Sequence, residues 1–147
     1  MPEAAQSMKP KDGPRPAILA VADLPVTERG GGARTIRMVT RELGSERFLN
    51  GITSFKPGAA IPLHSHNCEE SVVILEGSAL FELDGVEHPM GRHDATWIPA
   101  EVPHRFRNAS DTEELKIFWT YASIDATRTL TATGETRSIA SEHGAGR

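Results

Sequence analysis

Gly58-Ala59-Ala60-Ile61-Pro62-Leu63-His64-Ser65-His66-Asn67-Cys68-Glu69-Glu70-Ser71-Val72-Val73-Ile74-Leu75-Glu76-Gly77 is the stretch around which the chain is organised. His64 and His66 are two apart, and residues two apart on a β-strand point to one face. Two imidazoles therefore project side by side, as a divalent metal requires. Glu70 keeps the same parity, and the apolar run Val72 to Leu75 follows it. Gly58 and Gly77 bracket the segment where the chain must turn. The bland alternative is a pair of solvated histidines at a strand end. A carboxylate four residues on, between strand-like runs, favours the metal reading.

The chain has 147 residues and a formal net charge of −4. That length suits one domain with one core. No Lys/Arg cluster builds a basic face, so nucleic acid is not an expected partner. Cys68 is the only cysteine, which excludes an intramolecular disulfide. No apolar run approaches the roughly 18 residues of a membrane span. Met1 to Pro16 has no apolar signal-peptide core, so a cytoplasmic location is the default expectation.

That first segment, residues 1–16, holds four of the ten prolines and reads as a disordered or extended arm. Residues 17–132 read as a β-domain and residues 133–147 as a polar, poorly tied tail. Ile18 to Val21 suggests an edge strand, and Gly30-Gly31-Gly32 a flexible loop without the spacing of a phosphate cradle. Strands are expected over Thr35–Leu43, Phe48–Phe55, Ser71–Leu75, Ala79–Leu83, Ala95–Ile98, Pro103–Arg107 and Leu115–Tyr121. Asp84-Gly85 is a two-residue hairpin signal, and Ser123–Leu130 suggests a turn of helix. Many short strands, with turn signals about every 8 to 12 residues, point to an all-β barrel or sandwich.

A second constellation runs from Gly91 to Asn108 and includes Pro99, His104 and Asn108. Together the two stretches resemble the cupin superfamily, which is built on two motifs. The first motif is glycine, five residues, His-x-His, three or four residues, glutamate, six residues, glycine. Gly58, His64, His66, Glu70 and Gly77 meet every fixed position. In the second, Pro99, His104 and Asn108 are correctly spaced, while His93 and Glu101 stand where the motif has glycine. The resemblance covers roughly Phe48 to Tyr121. It implies a single-domain, antiparallel double-stranded β-helix of jelly-roll type. It also implies one divalent transition-metal ion per chain, held by His64, His66, Glu70 and His104. Three neutral imidazoles and a carboxylate suit Fe, Mn, Ni, Cu or Zn, whereas Mg or Ca would want more oxygens. Homodimers joined through sheet edges are a further family expectation.

Other side chains have two readings each. Cys68 shares parity with the ligands but reads better as a small buried residue, and Glu69 as a solvated neighbour of Glu70. Phe106, Trp119 and Tyr121 have lining parity, with core packing as their main role. Asn50 and Ser54 are candidate pocket-polar groups. Arg105 and Arg107 point to solvent or a partner subunit, and His88, His93 and His143 have no partner pattern.

Metal binding is implied more directly than any reaction, because a fold does not choose a chemistry. The leading expectation is a non-haem metal dioxygenase or related oxidoreductase acting on a small chelating substrate such as an enol, diketone or phenol. The alternative is a non-redox, metal-assisted isomerase, cyclase or lyase, in which the metal stabilises an enolate. Tyr121, the only tyrosine, is then the phenolic catalytic candidate. A metal- or ligand-binding module without turnover is the third reading.

Overall fold

The computed structural model describes residues 15–142, the side chains of Ser141 and Glu142 excepted. Nearly all of the expected N-terminal arm and the end of the tail, His143 included, lie outside the described residues. Twelve strands run in chain order: β1 (Thr27–Gly30), β2 (Ala33–Arg37), β3 (Leu49–Phe55), β4 (His64–His66), β5 (Glu70–Glu76), β6 (Ala79–Leu83), β7 (Val86–Met90), β8 (Ala95–Ile98), β9 (His104–Asn108), β10 (Leu115–Tyr121), β11 (Thr127–Leu130) and β12 (Thr136–Ser138). A 3-10 turn at Val21–Asp23 and one turn of helix, α1 (Ile139–Glu142), complete the described elements. None of the described helices is long and apolar enough to cross a membrane.

The strands form two six-stranded antiparallel sheets, ordered β1-β2-β3-β10-β5-β8 and β12-β11-β4-β9-β6-β7. The runs β3-β10-β5-β8 and β11-β4-β9-β6 join strands distant in sequence, as a jelly roll requires. The clearest alternation holds throughout: Leu115, Ile117, Trp119 and Tyr121 are buried and the residues between them are not. From the facing sheet, Ala79, Phe81 and Phe106 join the same core as Phe55, Val72 and Ile74. The all-β barrel expectation stands.

Local expectations fare unevenly. Asp84 and Gly85 both have positive φ, 53° and 77°, the backbone of a type I′ hairpin between β6 and β7. Ile18 is exposed and the chain turns at Val21–Asp23, so there is no edge strand there. Of the expected Thr35–Leu43 strand only Thr35–Arg37 is extended, as the end of β2. Ser123–Leu130 is not helical: the β-branched Thr127 and Thr129 belong to β11, which is held between β4 and β12. The tail is tied down as far as it is described, because Thr136–Ser138 pair with β11 and Ile139 is buried.

Of the two candidate pocket-polar residues on β3, Ser54 is buried and Asn50 is not; Leu49, Gly51, Thr53 and Phe55 are buried and Phe48 is exposed. Asn50 instead accepts a hydrogen bond from the Val39 N–H at 2.8 Å. The Trp119 ring lies against Gly51 so closely that an added Cβ would sit 2.5 Å from Cζ2. The inward face of β3 thus carries a glycine, and its apolar signal is blank there.

The two glycines that frame the first motif carry unequal demands. Gly77 has φ +86°, and a Cβ there would meet the Glu114 carbonyl oxygen at 2.4 Å. Gly58 has φ +72° but nothing within 4 Å of such a Cβ. A left-handed backbone costs a non-glycine residue roughly 1–2 kcal/mol, and overpacking adds about 1–3 kcal/mol. Gly58→Ala should therefore cost the first amount alone, and Gly77→Ala both. Urea midpoints of the two variants measure this, and equal losses would refute the packing account of Gly77.

Candidate metal centre

β4 is three residues long, and its His64 and His66 point inward while Ser65 points out. On one side β4 pairs with β11, and on the other with β9, where His64 lies opposite His104. That register brings the second motif to the first. Glu70, the first residue of β5, reaches in from the other sheet. All four side chains are buried, with at most 5% exposure. The imidazole donor atoms of His64, His66 and His104 lie within 4.8 Å of one another. Glu70 Oε1 is 2.9 Å from His104 Nε2 and 3.3 Å from His66 Nε2.

The backbone fixes which nitrogen of each ring faces the centre. His64 Nδ1 lies 2.7 Å from the Pro62 carbonyl, His66 Nδ1 2.9 Å from that of Thr127, and His104 Nδ1 2.8 Å from that of Val102. A carbonyl only accepts, so each Nδ1 carries the proton and donates it. In the neutral ring, Nε2 is then a lone pair. Three lone pairs lie together with a carboxylate against two of them, and His66 Nε2 has no hydrogen-bond partner. Two acceptors at 2.9 Å, His104 Nε2 and Glu70 Oε1, require a proton or a cation between them. The carbonyl anchors are also the outer partners that orient metal-bound histidines. The donor set fits a divalent ion.

Electrostatics agree. Burial alone pushes the Glu70 carboxyl up, but the adjoining His104 and His66 rings outweigh it and hold the group well below the usual carboxylate range. Burial, together with the neighbouring His104 and His66 rings, pushes His64 well below 6.5, so it is neutral at pH 7. Ligand histidines must be neutral.

Other residues separate cleanly. Glu69 is turned outward and accepts from Trp97 Nε1 at 2.7 Å, which resolves the choice between the two adjacent glutamates. Cys68 is half-buried against the core, and its thiol is not in the donor cluster. His88 and His93 are exposed and lie outside that cluster. Arg105 and Arg107 pair with Glu82 and Glu87 on the outer face. Asn108 is a clip, its amide donating to the carbonyls of Phe55, Lys56 and Glu113. At the two positions where glycine is missing, the turns persist with strained backbones: φ is 75° at His93 and 68° at Glu101. Glu101 N–H donates to the His66 carbonyl at 2.7 Å, which explains why that turn is held.

Tyr121 lies opposite Glu70 in register, its ring 4.6 Å from that of His66 and 5.0 Å from that of Trp119. Trp119 Nε1 donates to Thr53 Oγ1, which is 2.9 Å from Thr35 Oγ1. The hollow between these groups is water-sized, about 20 Å³, and Arg29 and Arg128 also line it. Thr53, Thr35, Arg29 and Arg128 carried no motif signal. Arg128 lies in the expected helix, and Arg29 in a stretch to which no element was assigned.

Residues 51–121 match the family model described as "Cupin domain". The chain is 33% identical to Polyketide synthase CurC of Streptomyces cyaneus over 73% of this chain and 70% of that protein. This chain belongs to the cupin family. The cupin is also 33% identical to Protein SchB of Streptomyces halstedii, over 69% of this chain and 74% of that one. Among solved structures, the polyketide cyclase RemF from Streptomyces resistomycificus superposes with a TM-score of 0.69 at 20% identity. That alignment covers 85% of this cupin and 86% of RemF, and it establishes the shared fold.

Proposed function

We propose that the barrel interior is a metal-dependent active site for small enolisable carbonyl compounds, working without net redox change in the manner of a cyclase. His64, His66, His104 and Glu70 hold the ion. The observation that carries this is the buried cluster of three Nε2 lone pairs, two of them against the Glu70 carboxylate. The polyketide setting named for CurC favours the cyclase alternative over the dioxygenase reading, which has no specific support among these relatives. A divalent ion bound there supplies Lewis-acid polarisation of a carbonyl and stabilisation of the enolate.

The chain supplies the rest. Burial, and secondarily the Glu70 charge, raise the Tyr121 phenol well above 10, so it keeps its proton and serves as a donor. It donates a hydrogen bond to the substrate oxygen on which negative charge develops as the new C–C bond closes. Glu70, held ionised beside His104 and His66, is a weak base and positions the rings; the substrate reacts from the enol that a 1,3-dicarbonyl already populates, and the enol proton ends on the oxygen of the carbonyl that is attacked. Phe106, Ile117 and Trp119 line the hollow and exclude water.

The test is a linear triketone supplied to protein purified without chelators. About one metal ion per chain and metal-dependent cyclisation without oxygen uptake are expected. Tyr121→Phe should keep the metal and lose about 100-fold in turnover, the typical cost of one oxyanion donor. Oxygen consumption coupled to substrate loss would reinstate the dioxygenase.

A further inference from the structure

Four polar side chains are linked in a row along one wall of the inner hollow. Trp119 Nε1 donates to Thr53 Oγ1 at 2.9 Å, and Arg29 Nη1 reaches Thr35 Oγ1 at 3.4 Å. The two hydroxyl oxygens between them are 2.9 Å apart. Register places the pair, because Thr35 on β2 lies directly opposite Thr53 on β3, and residues directly opposite share a face. Both are buried, with 0% and 3% exposure.

The protons of this pair can be counted. An indole N–H and a guanidinium only donate, and each hydroxyl carries one proton. Thr53 Oγ1 therefore accepts from Trp119, and Thr35 Oγ1 from Arg29. A single bond joins the two hydroxyls, so it uses one of their two protons. Among the described residues neither hydroxyl has a further acceptor. One proton is left over, and its position decides what the pair can do. If Thr53 donates to Thr35, the spare proton stays on Thr35, which is fully buried and does not line the hollow. A buried hydroxyl proton without an acceptor is costly. If Thr35 donates to Thr53, the spare proton stays on Thr53, which lines the hollow together with Tyr121 and His104. There water or a ligand oxygen can accept it, so this second arrangement holds. With Trp119 and Thr35 both donating to it, Thr53 Oγ1 has no lone pair to spare. Toward a ligand it is a donor only.

We propose that Thr53 is a substrate-binding residue that donates this proton to a carbonyl oxygen of the substrate. That oxygen is not the one served by Tyr121. Thr53 lies opposite Ile117, four residues along β10 from Tyr121, with Trp119 between the two levels. The cupin therefore takes compounds with at least two spaced oxygens, such as a polycarbonyl chain, in preference to those with one oxygen fewer. The proposal rests on the reading of the inner hollow as the reaction site, and it adds a second anchor for the substrate.

The probes are heptane-2,4,6-trione and heptane-2,4-dione, which differ by one carbonyl. Dissociation constants are read on full-length protein, purified without chelators, by stopped-flow quenching of tryptophan fluorescence before turnover. Trp119 lines the hollow and reports occupancy. The parent should bind the trione about five-fold more tightly than the dione, the worth of one neutral hydrogen bond. Thr53→Val should abolish that preference, and Thr53→Ser should keep it. Thr35→Val should also keep it, because Thr53 retains its own proton. Both valine variants lose a buried hydrogen bond and should melt at lower temperature, so only the preference separates a binding role from a structural one. If Thr53→Val does not fold, Thr53→Cys takes its place, and its weak S–H donor should reduce the preference. Failure of the parent to distinguish the two probes, or an unchanged preference in the Thr53 variant that lacks the hydroxyl, would overturn the proposal. So would equal loss of the preference in Thr53→Val and Thr35→Val, which would make the pair a support for the Trp119 ring. Metal content separates this from the reading it rests on. A preference that follows Thr53 in protein that holds no metal supports the donor and removes the metal reading. A metal-loaded parent that binds both probes alike refutes the donor and leaves the metal reading standing.

Discussion

Alanine at His64, His66, Glu70 or His104 is expected to weaken metal binding by at least about 10–100-fold, because even loss of an outer partner of a metal ligand costs that much. His88→Ala, His93→Ala and His143→Ala should bind metal like the parent. The four residues differ from the three in ways that can be measured. The three candidate imidazoles are buried and anchored through Nδ1 to backbone carbonyls, so Nε2 is already aimed inward. Such preorganisation reduces the ordering cost of binding. Truncating one ring leaves a cavity that water repairs only in part. Glu70→Ala should have a second effect, since it removes the only carboxylate touching His66 and His104. Glu70→Gln keeps the shape without the charge and separates the two contributions. Metal stoichiometry and affinity for all the variants, each shown to be folded, decide the matter. Parent-like affinity in His104→Ala together with loss in His93→Ala would mean that the second motif is misaligned and the centre lies elsewhere.

What could be read in advance depended on where the information was local. His64, His66 and Glu70 lie within seven residues, and strand parity alone places them together. Leu115–Tyr121 was equally legible, because every second residue is apolar and buried. His104 was placed by resemblance only, since its partnership with His64 is a matter of register between β4 and β9. Arg128 was invisible: it enters the barrel because β11 pairs with β4, and no local pattern announces that pairing. The inward face of Leu49–Phe55 carried little signal because it holds Gly51 and Thr53, one lying against the ring of Trp119 and the other hydrogen-bonded to it. The turns at His93 and Glu101 show the reverse case: the motif's glycines are absent, yet the left-handed backbone is kept. Glycine is the cheap way to make such a turn, but pairing of the flanking strands can hold a costlier one.

Acidification should strip the metal and then weaken the fold, in that order. Protons compete with the ion for each ligating nitrogen. For three ordinary imidazoles, every pH unit below about 6.5 would cost up to about ten-fold per ring. His64 resists protonation because it is buried beside the two other rings, so its own share of this loss is small. Metal should be fully held at pH 7–8 and released below about pH 6. The metal-free fold follows by linkage. The folded-state pKa of His64 lies below the unfolded value of 6.5, so the unfolded chain binds the extra proton as pH falls. His64 therefore costs nothing above pH 6.5 and destabilises the fold progressively below it. The folded-state pKa of Glu70 lies below its usual 4.5, so its stabilising contribution is present above 4.5 and drains away under it. The two effects have one sign and successive windows. Metal content after dialysis at pH 8 to 4, with melting temperatures of the loaded and stripped protein at each step, tests both parts. Constant occupancy down to about pH 4 would contradict histidine ligation. A stripped protein whose melting temperature holds steady from pH 7 to 5 would contradict the neutral, buried state of His64.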